Sequence, residues 1–84
     1  MFKQKQIKKV MKLLKEKGYE ISKSIDRRVR RYEYEKSTEI RLEEDKVIIT
    51  TEIKIKGVYN TLIIHPDGTS KLEFNIIQTN FQID

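Results

Sequence analysis

The chain has 84 residues, of which 37 % are charged and 37 % hydrophobic, with no cysteine and one histidine. A chain of this length holds one small core, the lack of cysteine excludes disulfides and thiolate metal sites, and a single histidine argues against an imidazole metal site. No run approaches the roughly 18 apolar residues of a membrane span, and the N-terminal stretch lacks the apolar core of a secretory signal, so we expect one cytoplasmic domain over residues 1–84 without metal or cofactor.

The charge is distributed unevenly along the chain. Residues 1–31 hold 12 Lys/Arg and 3 Asp/Glu, a net of +9, whereas residues 32–84 hold 6 and 10, a net of −4, and the two sum to the overall +5. An asymmetry of this kind favours a polyanionic partner for the basic end.

The first predicted element is a helix over residues 3–17. Its apolar residues recur at the i, i+3, i+4, i+7 spacing of one helical stripe, and they are Ile7, Val10, Met11 and Leu14. Gly18 follows as a left-handed cap. The arc that this spacing leaves exposed is coated with lysines, namely Lys5, Lys8, Lys9, Lys12 and Lys15.

The segment after Gly18 shows a period of two. Tyr19, Ile21 and Ile25 alternate with polar residues, which predicts a short strand over 19–25. The charged run DRRVRR at 26–31 is then either a turn or the entry to a longer strand, and a further strand continues through residue 43. Tyr32 and Tyr34 in that strand are candidates for stacking on unpaired bases, although the alternation points them inward.

Turn sequences set the register of the later strands. HPDG at 65–68 predicts a type I turn with a left-handed glycine, which pairs Leu62 with Leu72. A two-residue turn at 44–45 pairs Glu43 with Lys46. Another at 56–57 pairs Ile55 with Val58.

These registers place the apolar residues on one face of the sheet, interrupted only by Thr51 and Asn60. The face comprises Ile40, Leu42, Val47, Ile49, Ile53, Ile55, Val58, Leu62, Ile64, Leu72 and Phe74. The stripe of the helix needs an apolar partner, and this face supplies one. We therefore predict an α+β fold, with an N-terminal amphipathic helix packed on one face of a four- to five-stranded antiparallel β-meander. The fifth strand would lie within residues 76–84.

Catalytic chemistry has little support in the sequence. His65 has only Asp67 nearby, and the turn already explains that aspartate. A row of glutamates lies on a flat outer face interleaved with lysines, where no cleft shifts a pKa. Three glycines, each at a turn or cap, leave none for a phosphate-binding loop. We expect no enzyme, no catalytic residue and no small-molecule substrate.

The basic end supports a different hypothesis, a small module that contacts the phosphates of DNA or RNA without strong sequence specificity. Arginine suits bidentate phosphate contacts and lysine supplies a point charge. The predicted contact residues are Lys5, Lys8, Lys9, Lys12, Arg27, Arg28, Arg30 and Arg31.

A protein-interaction module, either a small adaptor or an inhibitor, is the alternative. Ile48, Tyr59 and Ile63 fall on the outer sheet face and predict a small apolar patch for a protein partner or a homodimer. An edge strand could pair with another chain as well. The two hypotheses differ in salt dependence, which is steep for phosphate contacts and shallow for an apolar interface.

Overall fold

The computed structural model describes residues 2–53 and 57–76. Two helices precede four strands, and the elements are α1 (Phe2–Glu16), α2 (Lys23–Arg31), β1 (Glu39–Glu43), β2 (Lys46–Glu52), β3 (Val58–Ile64) and β4 (Ser70–Ile76). The strands form one antiparallel sheet in the order β1-β2-β3-β4. The predicted α+β fold with an N-terminal helix on an antiparallel meander is confirmed. Most of the segment proposed for a fifth strand, residues 77–84, lies outside the described residues.

Helix α1 buries the apolar stripe that the sequence predicted. Ile7, Val10 and Leu14 are buried. At the end of the helix, the backbone N–H of Tyr19 donates to the carbonyl of Leu14 and that of Gly18 donates to Lys15, both at 3.0 Å. This is the Schellman pattern, and Gly18 meets its requirement for a left-handed residue with φ of 73°.

Helix α2 corrects the interpretation of residues 19–31. The predicted strand over 19–25 is wrong, and 26–31 is neither turn nor strand but helix. Ser22 caps its N-terminus by accepting from the N–H of Ile25 at 3.1 Å, and basic residues fill its last turn. Ile25 and Val29 are fully buried, four residues apart. Helical periodicity therefore prevails over the short run of alternation.

Residues 32–38 also differ from the prediction, because β1 begins only at Glu39. Tyr32 and Tyr34 lie in the connection after α2, where both are buried. The Tyr32 hydroxyl reaches the carbonyl oxygens of Ile49 (3.1 Å) and Asn60, and the Tyr34 hydroxyl donates to the carbonyl of Val29 at 2.7 Å. Tyr32 thus attaches the C-terminal end of α2 to the sheet, and Tyr34 ties the following connection back to α2.

Two of the three predicted registers are confirmed. Glu43 pairs with Lys46, and Leu62 pairs with Leu72. Between β2 and β3 the prediction is wrong by two residues, because the N–H of Ile53 donates to the carbonyl of Val58 at 3.0 Å. A shift of two leaves every side chain on its predicted face.

The core lies between the helices and the two middle strands. Residues of α1 and α2 pack with Tyr32, Tyr34 and four residues of the sheet, namely Val47, Ile49, Leu62 and Ile64. Thr51, also fully buried, shares a 2.7 Å hydrogen bond with the hydroxyl of Thr38. Strand β4 supplies no buried residue. Leu72 and Phe74 lie on the predicted apolar face but outside the core, because they are 55 % and 64 % exposed.

The hairpin turn at 65–68 is hydrogen-bonded to the connection between the two helices. The turn is closed by the bond from the N–H of Gly68 to the carbonyl of His65 at 3.1 Å. The tip then contacts the connection between the helices: the N–H of Glu20 donates to the carbonyl of Pro66 at 3.0 Å, and the Ser22 hydroxyl donates to that of Gly68 at 3.3 Å. Ser22 therefore caps α2 and holds the hairpin with one side chain.

Candidate nucleic-acid interface

The basic residues predicted to bind nucleic acid lie on the two helices, and each is exposed. Both helices pack on the same face of the sheet through their apolar stripes. Their cations therefore project from one layer. They comprise Lys5, Lys8, Lys9 and Lys12 on α1 and Arg27, Arg28, Arg30 and Arg31 on α2.

A cleft of about 460 Å³ brings the two helices' cations together. Lys8, Lys12 and Lys15 of α1 line it, and Arg30 of α2 does as well. Lys15 belongs to the lysine coat but was not among the predicted contacts. Lys5 and Lys9 are exposed on α1 without lining this cleft.

Two further depressions continue from α2. One, of about 550 Å³, is lined by Lys23 together with Arg27, Arg30 and Arg31. The other, of about 350 Å³, lies between α2 and the sheet and is lined by Arg27, Arg28 and Arg31 on one side and by Asn60 and Leu72 on the other. Because neighbouring depressions share arginines, the three form one path, which we call the basic track. It runs from the α1 lysines across α2 to β4.

One carboxylate lines each depression of the basic track, namely Glu16, Asp26 and Glu33, but only Asp26 forms an ion pair with a predicted contact residue in the described part of the chain. The Arg30 Nε donates to both carboxylate oxygens of Asp26, at 3.0 and 3.1 Å, on an exposed surface. No other predicted contact residue has a carboxylate oxygen within 4.0 Å in the described part of the chain. An exposed pair of this kind contributes about 0.2–1 kcal/mol, so Arg30 can exchange Asp26 for a phosphate at small cost.

The tyrosines beneath α2 do not form a surface for stacking bases. Tyr32 is 4 % and Tyr34 is 8 % exposed, and their rings contact edge to face with centroids 5.0 Å apart. Burial raises the pKa of both hydroxyls, since it disfavours the phenolate; hydrogen bonding at Thr51 partly offsets this for Tyr32. Their role is to support the helix that carries the arginines.

Strand β4 holds residues whose exposure the sequence did not reveal. Leu72, Phe74 and Ile76 are 55 %, 64 % and 65 % exposed on the face that the helices cover elsewhere. We call these three residues the apolar strip. The width of the sheet could have predicted this exposure. One helix is about 10 Å across and strands are about 4.8 Å apart, so the single predicted helix covers only about two strands.

The predicted protein interface lies on the opposite face of the sheet. Ile48 pairs directly with Ile63, and Tyr59 pairs with Glu52 toward the other end of the strands. Ile48 is only 9 % exposed, and Ile63 and Tyr59 are half-buried. The patch is small, and its role as an interface stays a prediction.

The hairpin histidine lies in the turn at 65–68, beside a carboxylate that is hydrogen-bonded within the same hairpin. Asp67, the carboxylate closest to it in sequence, accepts hydrogen bonds from the Thr69 hydroxyl (2.6 Å) and N–H (3.0 Å), and these lower the pKa of Asp67. Within residues 2–53 and 57–76, no three His, Cys, Asp or Glu side chains form a group suited to a metal ion. No helix in the same ranges has the length and apolar character needed to cross a membrane.

Comparison with known proteins finds no relative: no family model, curated protein or solved structure matches the chain.

Proposed function

We propose that this protein is a small basic module that binds nucleic acid through phosphate contacts made by α1 and α2. The observation that carries the proposal is the basic track. It gathers lysines of one helix and arginines of the other along a single path with one ion-paired member among the described residues. A regular row of anions is the ligand that such a path complements.

The side chains of the track favour phosphate over base recognition. They are long, exposed and, apart from Arg30, not held in place by a described carboxylate. Phosphate contacts position a protein on nucleic acid but carry no sequence information. We therefore propose binding without strong sequence specificity.

The protein-interaction alternative has weaker support from the described surface. Its central residue, Ile48, has lost most of its accessible area to neighbouring residues of its own chain. The hot spots of protein interfaces are fully desolvated by the partner, and a residue that is already buried has little area left to lose.

The test is a charge-neutralising triple variant, R27Q/R28Q/R31Q, compared with wild type by fluorescence anisotropy of labelled oligonucleotides. Glutamine keeps the helix propensity of arginine. Arg30 stays in place, so that Asp26 keeps its partner. The matched control is K36Q/R41Q/K46Q, which removes the same charge from residues outside both helices.

Loss of three phosphate contacts should reduce the slope of log affinity against log salt by about 2 for a single strand. The control variant should keep the slope of wild type. Equal weakening by the two variants would show that net charge alone matters and that the track is not a site. Unchanged binding by the arginine variant would overturn the proposal.

A further inference from the structure

The apolar strip is an unusual feature of a strongly charged surface. Its three side chains follow one another on the same face of β4, at the edge of the sheet next to the covered middle strands. Exposed apolar patches of a few hundred Å² are the largest that typical monomers carry, and they are often functional. Single exposed apolar residues are ordinary, but a contiguous row is not.

The strip adjoins the basic track. Leu72 lines the groove whose other wall consists of Arg27, Arg28 and Arg31. Phe74 does not line the groove itself, but it pairs across the strands with Asn60, which does, so it lies on β4 next to the groove. The groove thus has a cationic wall on α2 and an apolar floor that continues along β4.

A duplex and a single strand would use this groove differently. A duplex presents phosphates and sugars but keeps its base faces stacked inside, so it would leave the apolar strip in water. A single strand exposes base faces, which stack on aromatic and apolar side chains while its phosphates meet cations. Resting on the proposed function, we propose that the ligand is single-stranded nucleic acid, with phosphates on the α2 arginines and a base stacked on Phe74.

Two polar residues of the groove fit this arrangement. The Asn60 carboxamide is half-buried and makes no side-chain hydrogen bond within the described residues, so it is available to the edge of a base. Glu33 lines the same groove and opposes phosphate. The Glu33 carboxylate therefore weakens phosphate binding, but three arginines line the same groove and outweigh its single negative charge.

The test compares Phe74→Ala with wild type for binding of a labelled single strand and of a duplex of the same sequence. Asn75→Ala, on the opposite face of the same strand, is the matched control. Loss of one stacked base should weaken single-strand binding roughly 5- to 150-fold, with duplex binding changed by about twofold or less. Phe74→Leu should give an intermediate loss, because an apolar contact remains without the aromatic face.

Each other outcome overturns the inference in a distinguishable way. If F74A binds the single strand as wild type does while R27Q/R28Q/R31Q fails, the track binds phosphates and the strip does not participate. If neither oligonucleotide binds wild type, the proposed function fails too. If F74A instead converts a dimer to a monomer, a second copy covers the strip. If its urea midpoint falls as far as that of Leu62→Ala, another part of this chain covers Phe74.

Discussion

Leu62 and Leu72 are the same residue type, paired with each other across neighbouring strands and directed to the same face of the sheet. Leu62 is fully buried beneath the helices, whereas Leu72 is 55 % exposed one strand further out. The pair shows that alternation determines which face a side chain takes but not whether anything covers that face. The middle strands hold the fold together, and the outer strand carries its apolar residues beside the arginines of α2.

The largest effect expected from this difference is on stability. Leu62→Ala should lower the free energy of unfolding by about 2–5 kcal/mol, because it leaves a cavity in the centre of the core. Leu72→Ala should lower it by roughly 1 kcal/mol or less, since most of that side chain already contacts water. Urea unfolding of both variants, followed by circular dichroism, measures the difference. Similar losses would mean that β4 is covered as the middle strands are.

A smaller loss of stability is expected where the N-terminus of α2 contacts the hairpin turn between β3 and β4. Ser22→Ala removes the N-cap of α2 and the bond to the carbonyl of Gly68 with one substitution. The loss should be about 0.5–2 kcal/mol, as for other N-cap substitutions. Ser24→Ala, at an exposed position of the same helix, is the control and should change stability by roughly 0.5 kcal/mol or less. Urea midpoints that do not separate the two variants would show that the cap contributes nothing.

The buried tyrosines predict a loss of stability in alkali. Burial raises the pKa of Tyr32 and Tyr34 above the unfolded value of 10.0, so the unfolded chain releases these protons first as the pH rises. Their contribution is complete below pH 10 and declines above it. Tyr34→Phe, which has no phenol to ionise there, should show a shallower decline between pH 9.5 and 11 in urea unfolding. Parallel curves for wild type and variant would contradict the prediction.

The smallest effect concerns the groove between α2 and β4. Glu33→Gln removes the carboxylate that faces the arginines there and should tighten oligonucleotide binding by roughly two- to fivefold at low salt. Glu39→Gln, exposed on β1, removes the same charge outside the groove and should have little effect. Isothermal titration of both variants distinguishes a local effect from one of net charge.

Sequence reasoning succeeded where a single local rule governs. The HPDG turn determined the pairing of Leu62 with Leu72, and the stripe of α1 determined its buried face. It failed where two rules competed. Tyr19, Ile21 and Ile25 alternate as in a strand, but Ile25 and Val29 also follow at a spacing of four, and both lie in the helix that begins after the Ser22 cap.

The candidate site likewise has a part that follows from the sequence alone and a part that requires the three-dimensional arrangement. Charge counting named six of the eight cations that line the basic track, because charged side chains remain exposed wherever their helix lies, but it omitted Lys15 and Lys23. It did not reveal that Arg27, Arg28 and Arg31 face the apolar strip, since this requires both α2 and the position of β4 beyond the helical layer. Tyr32 and Tyr34 illustrate the opposite error: a stacking role suits their chemistry, but they are buried.

The basic track is proposed to bind the phosphates of nucleic acid. The most direct measurement is anisotropy of a labelled single strand titrated with wild-type protein at about 50 and 200 mM salt. We expect saturable binding at the lower salt. Affinity should fall roughly 50-fold at the higher salt if only the four α2 arginines contact phosphate, and roughly 2,000-fold if all eight predicted cations do. Absence of binding at 50 mM salt, or an affinity that salt does not change, would contradict the claim.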